Sequence, residues 1–167
     1  MTEITAVELL ARYAAGERDF SGINLQGIEL QYAQLSGINL SRTVLYDAHL
    51  YRIDLSGADL SGARLGDARI EDVDLSGANL SGAVLQGASV RRSCIEGVNF
   101  ENAILVEMGM EDSRLDKANF RGAYLCETSF TRCVFQDAIV DINELRGCYL
   151  TQTRLSDGEI VTNVIED

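Results

Sequence analysis

The sequence predicts an all-β solenoid, a chain wound into stacked square coils of 20 residues each. Three observations lead there: a large apolar residue at every fifth position, a small one two places before it, and the absence of proline. From Phe20 through Val140 the five-residue spacing holds for 25 successive positions without a slip. Between positions 23 and 138 the residue two places earlier is Ala in 12 of 24 cases, so the second inward position has little room. A period of five fits neither an α-helix nor a free strand. It requires a chain that turns the same way every five residues, with two side chains directed in and three out. Four such quarter-turns close a square, and backbone hydrogen bonds then join one coil to the next. Stacked coils lie about 4.8 Å apart, so six of them make a rod of roughly 30 Å. Proline is missing because each backbone N–H is needed by a neighbouring coil.

Units such as Ala58-Asp59-Leu60-Ser61-Gly62 and Ala78-Asn79-Leu80-Ser81-Gly82 resemble the pentapeptide-repeat family, whose pattern is A(D/N)LXX. The resemblance covers roughly residues 18–157 and implies a right-handed quadrilateral β-helix. Ile23, Ile28, Ile38 and Ile53 replace the usual Ala, so the first coils are expected to be fuller inside. The stretch Arg12-Tyr13-Ala14-Ala15-Gly16-Glu17-Arg18-Asp19-Phe20 is similar to cyanobacterial members of the family. Some members influence cell differentiation, and others are DNA mimics that bind type II topoisomerases such as gyrase. Both roles are what the resemblance implies, alongside a plainer one as an interaction module, because a fold does not fix a function.

The chain divides into three parts. Residues 1–17 read as a capping helix over the first coil. Thr5 and Glu8 have capping-box spacing, Ile4, Val7, Leu10, Ala11 and Ala14 lie at helical spacing, and Gly16 suits the stop. The alternative for this segment is an amphipathic helix that binds a partner. Residues 18–157 form the coil, with an irregularity expected over 141–147 because Asn143 falls at an inward position. Cys148 with Leu150, and Thr153 with Leu155, restore the unit. Residues 158–167 are a tail whose Ile160, Val161, Val164 and Ile165 either cap the last coil or meet a second chain, so the protein is a monomer or a homodimer.

Composition narrows the function. A net charge of −12 argues against binding nucleic acid or an acidic membrane, which needs clustered Lys and Arg. No run approaches 18 apolar residues and no charged-then-apolar leader opens the chain, which points to a cytoplasmic protein without a membrane span. Cys94, Cys126, Cys133 and Cys148 lack CxxC spacing and His49 stands alone, so the expectation is reduced thiols, no metal and no cofactor. No nucleophile–base pair and no phosphate loop is visible, and the reading is not an enzyme.

Residues 20 apart share a column on the rod, which sorts the outward side chains onto four faces, named here by their first inward residue. The Phe20 face carries Asp19, Asn39, Asp59, Asn79, Asn99 and Asn119, short polar groups suited to tight turns. The Leu25 face turns Val44, Tyr46, Val84, Ile104, Val106 and Tyr124 outward, broken by Arg64. A contiguous apolar stripe marks a contact surface for an unidentified protein partner, although residues that favour strands also account for it. The Leu30 face alternates in sign: Arg52, Asp72, Arg92, Asp112 and Arg132 in one column, Glu71, Arg91 and Glu111 beside it. That is a stabilising charge ladder or a partner face. On the Leu35 face Cys94 points out, with Asp54 and Asp74 in its column. By face the charges over residues 18–157 sum to −1, −3, 0 and −3, so no face is a dense anionic track.

Overall fold

A computed structural model describes residues 4–141 and 143–162. Thr5 begins α1 (Ala6–Ala14) with an extended backbone, and its hydroxyl accepts the Glu8 N–H at 3.2 Å. This satisfies one of the donors that a helix start leaves unpaired. Gly16, at φ 100°, lets the chain leave the last turn. Of the stripe its spacing suggests, Ile4 and Leu10 pack on the core but Val7, Ala11 and Ala14 do not. Leu9 is fully buried, with Ile4, Ala6, Leu10 and Tyr13 packed against the core, whereas Val7 is 78% exposed. Ala11 and Ala14 also face away. The bulkier set wins because it removes more apolar area from water. The Tyr13 hydroxyl then donates to the Ser36 carbonyl at 2.8 Å and pins the helix to the first coil.

Each five-residue unit is a quarter-turn. The residue two places after the large inward one adopts a left-handed backbone, from Gly22 at φ 65° to Gln152 at φ 50°. On the Phe20, Leu25 and Leu35 faces the next N–H closes onto the large residue's carbonyl, as from Ala58 to Leu55 and from Ala63 to Leu60, both at 3.0 Å. The Leu30 face has no such closure. It is built instead from β1 (Glu29–Gln31), β2 (His49–Tyr51), β3 (Arg69–Glu71), β4 (Ser89–Arg91), β5 (Gly109–Glu111), β6 (Ser129–Thr131) and β7 (Tyr149–Thr151). These make one parallel sheet in chain order, each residue paired with the one 20 further on. The other faces are joined by single bridges such as Val84 to Ile104.

One cluster of buried apolar side chains runs from Leu9 to Leu150. Phe100 and Phe120 stack at 5.0 Å between ring centroids, and Phe130 meets Phe135 edge-on at 5.0 Å, so aromatic rings fill the coils toward the C-terminal end. Inside the Leu30 face runs a polar thread. Ser93 Oγ accepts the Val73 N–H at 3.2 Å and donates to the Arg91 carbonyl at 2.9 Å, and Ser113 does the same for Ser93 and Glu111. Thr153 repeats the pattern, accepting from Cys133 N–H at 3.3 Å and donating to the Phe130 carbonyl at 2.8 Å. Buried hydroxyls therefore serve the N–H groups that the open turns of this face leave over.

Asn143 is exposed, not inward as its register position suggested. The chain turns outward after Val140, yet Leu145 is buried again and β7 pairs with β6 at the regular offset of 20. Glu144 makes this possible. Its carboxylate accepts the N–H groups of Gly122 and Asp141, both at 2.9 Å, replacing the coil-to-coil bond that Asn102 makes to the Arg121 carbonyl one coil earlier. After β8 (Thr153–Arg154) an Asp157-Gly158 turn leads to β9 (Ile160–Val161), which pairs with β8 antiparallel. Val161 packs on the core and Ile160 is exposed; Val164 and Ile165 lie outside the described residues. Among the described residues no helix is long and apolar enough to cross a membrane.

Candidate interaction surface

The charged columns of the Leu30 face interlock. Arg92 Nε lies 2.9 Å from Asp72 and its Nη2 also meets Glu71, while Arg52 reaches Asp72 at 3.6 Å. Arg132 repeats this with Asp112 at 2.6 Å and with Glu111, and Arg91 approaches Glu111 at 3.4 Å. The hydrogen bond from Arg92 holds the Asp72 carboxyl below its ordinary pKa, and that from Arg132 does so for Asp112. All eight ladder residues named from the sequence are therefore engaged with one another. Arg52 also lies over the Tyr51 ring at 5.1 Å, and His49 stands between Glu29 and Arg69 on the open sheet.

The Phe20 face is a ladder of amides. Asn99 donates to Asn79 at 3.4 Å and Asn119 to Asn99 at 2.9 Å, while each Oδ1 accepts an N–H two residues on. On the Leu35 face Asp54 and Asp74 accept the N–H groups of Ser56 and Ser76, and Cys94 Sγ lies 3.1 Å from Ser76 Oγ. Arg114 and Asp116 pair at 2.7 Å, and Lys117 and Glu96 at 3.2 Å. Cys133 and Cys148 are buried inside the coil, and burial pushes their thiols up to about 11 and about 12. Among the described residues no three His, Cys, Asp or Glu side chains gather as a metal set.

The Leu25 face is built differently. Val44, Arg64, Val84, Ile104 and Tyr124 are bridged in succession, so their side chains project from consecutive coils. Ile104 is 39% and Tyr124 70% exposed; Val84 and Val106 are half-buried. Tyr46 lies flat: a Cβ at Gly66 would come within 2.6 Å of its ring. Two places beyond each inward residue runs a second column, Asp47, Asp67, Gly87, Glu107 and Glu127. Asp67 leans toward the gap at Gly87, where a Cβ would meet its Oδ1 at 2.5 Å. None of these four carboxylates has an ion-pair partner among the described residues. Between stripe and carboxylates lies a hollow of about 280 Å³ bordered by Tyr46, Gly66, Asp67, Val84, Gln86, Gly87 and Glu107. The sequence reading found the stripe and missed the acidic column, although sorting the left-handed positions 20 apart shows it.

The repeat and the coil both match known proteins. The family model of pentapeptide repeats matches residues 23–62, 63–102 and 113–141, more than half of the chain, in 8 copies. A comparison with curated proteins by sequence finds none that matches. Among solved structures, a pentapeptide repeat protein from the cyanobacterium Cyanothece 51142 is similar at a TM-score of 0.66 and 26% identity, covering 81% of this chain and 99% of that one. HetL, a pentapeptide repeat protein involved in heterocyst differentiation regulation from the cyanobacterium Nostoc sp. strain PCC 7120, is similar at a TM-score of 0.57 and 22% identity, covering 95% of this chain and all of that one. The five-residue unit, the square coil that it closes and the matched segments agree: this chain belongs to the pentapeptide-repeat family.

Proposed function

We propose that the protein is a non-enzymatic interaction module that presents its Leu25 face to another protein. The observation that carries this is the outward pair Ile104 and Tyr124, exposed on consecutive coils beside Val84 and Tyr46. Contiguous exposed apolar side chains on a soluble surface mark a contact site. The scaffold beneath is stiff, because each unit is tied by backbone bonds to the coils on both sides. A surface held in one shape loses little entropy when it binds. The partner is a protein because a net charge of −12 repels phosphate, and four free cysteines suit a reducing cytoplasm.

The test is capture from the native host with the wild-type chain and the I104D/Y124D variant side by side. A protein retained by the first and released by the second, at unchanged circular dichroism, supports the module; a bound set indifferent to both substitutions refutes it. A duplex-mimicking role toward a type II topoisomerase is separated by a gyrase supercoiling assay, where we expect no inhibition at micromolar protein.

A further inference from the structure

Resting on that reading, we infer that the Leu25 face receives a basic amphipathic helix of the partner, with a Lys or Arg side chain seated in the hollow at Gly87. The two columns dictate the chemistry. Val84, Ile104 and Tyr124 offer an apolar edge, and Asp47, Asp67, Glu107 and Glu127 offer a parallel edge of unpaired carboxylates. The edges stand three residues apart at the two ends of one quarter-turn, so they border the same side of the rod and a helix of about 10–12 Å diameter laid along it touches both. Along the rod the positions of this column recur at about 4.8 Å per coil, with Gly87 leaving one carboxylate out, close to the 5.4 Å of one helical turn. A helix laid along the axis therefore brings one basic side chain per turn to the acidic edge and its apolar side to the stripe. An extended strand repeats one side every two residues, about 6.6 Å, and loses register sooner.

The hollow fits the anchor. Tyr46 and Val84 form its apolar wall, and Asp67 and Glu107 bracket the gap that Gly87 leaves. A long basic side chain satisfies both at once, its alkyl stem on the wall and its charge between the carboxylates. The acids of the Leu30 ladder, and Glu96 and Asp116 on the Leu35 face, are already neutralised by arginine or lysine. Arg64 is the one cation on the Leu25 face between residues 23 and 127, and it works against a basic ligand.

The experiment uses the full chain and a fluorescent 18-residue helical peptide with Leu on one side and Lys on the other, read by anisotropy at low salt. We expect binding that a scrambled peptide of the same composition and a Leu/Glu counterpart lose at least tenfold. D67N/E107Q should weaken it about fivefold, in line with two partly desolvated charge pairs, and R64E should strengthen it severalfold. D54N/D74N on the Leu35 face should leave it within twofold. Equal binding of the scrambled peptide, or equal loss with D54N/D74N, overturns the inference by making the attraction general. If no peptide binds while I104D/Y124D still releases the native partner, the ligand chemistry is wrong and the module stands. If that variant retains the native partner, the module itself falls.

Discussion

Single side chains decide where the rod's hydrogen-bond ladders run and where they stop. On the Phe20 face each Asn donates its amide to the residue one coil earlier and accepts an N–H with its oxygen. Asp59 accepts from Ser61 N–H and from Asn79 but, as a carboxylate, has nothing to donate toward Asn39. The ladder therefore breaks between Asn39 and Asp59, while Asn39 still donates to Asp19 at 3.0 Å. D59N supplies the missing donor and keeps both accepted bonds. A net gain of about 0.5 kcal/mol is expected for a half-exposed bond, or about 1–2 °C in melting temperature for a chain of this size. A thermal scan in which D59N melts lower than wild type shows that the carboxylate is worth more than the amide bond. The same accounting explains why Ser93, Ser113 and Thr153 sit inside an otherwise apolar core: each serves an N–H that an aliphatic residue would leave unpaired.

Among elements, α1 and the charged sheet make opposite kinds of contribution. Leu9 plugs the first coil, so L9A should cost about 2–4 kcal/mol through lost burial and a cavity. V7A, at a position 78% exposed, should stay within about 0.5 kcal/mol in urea denaturation; the reverse ranking would mean that the other side of the helix caps the rod. Spacing identified the helix, its Thr5 cap and the packed Ile4 and Leu10, but put Val7, Ala11 and Ala14 in the same stripe and left out Leu9 and Tyr13. With only nine residues, several stripes are compatible with the pattern, and the weight of Leu9 and Tyr13 on the coil decides among them. The charge ladder was legible throughout, since a strict 20-residue period fixes which residues face each other. Its energetics are pH-dependent. Asp72 and Asp112 titrate below their ordinary value because Arg92 and Arg132 hydrogen-bond them. A depressed folded-state pKa stabilises above the unfolded value of about 3.9 and is lost as pH falls through the folded one. In R92M/R132M the drop in melting temperature between neutral pH and pH 3 should therefore shrink; an unchanged drop would assign acid sensitivity to other carboxylates.

As a whole the molecule is a one-dimensional stack in which each coil touches only its neighbours, so opening begins at the ends. What the sequence could not show lies at those ends: the Glu144 substitution for a coil bond and the β8–β9 hairpin both depend on a single carboxylate or a single Asp157-Gly158 turn, not on a period. Two buried cysteines report on this end. Cys148 belongs to the last coil, Cys133 lies three quarter-turns further in, and burial raises both thiols, to about 12 and about 11. A raised folded-state thiol pKa means that stability is intact below the unfolded value of about 8.5 and falls as pH rises above it. In a C94S/C126S background a disulfide reagent should label Cys148 before Cys133. Because the open thiol ionises at its ordinary value while burial holds the closed one up, labelling of both sites through opening should accelerate as pH rises above about 8.5. Equal, slow labelling of the two sites would show that the rod opens as one unit, with the apolar columns from Leu9 to Leu150 cooperating along their full length.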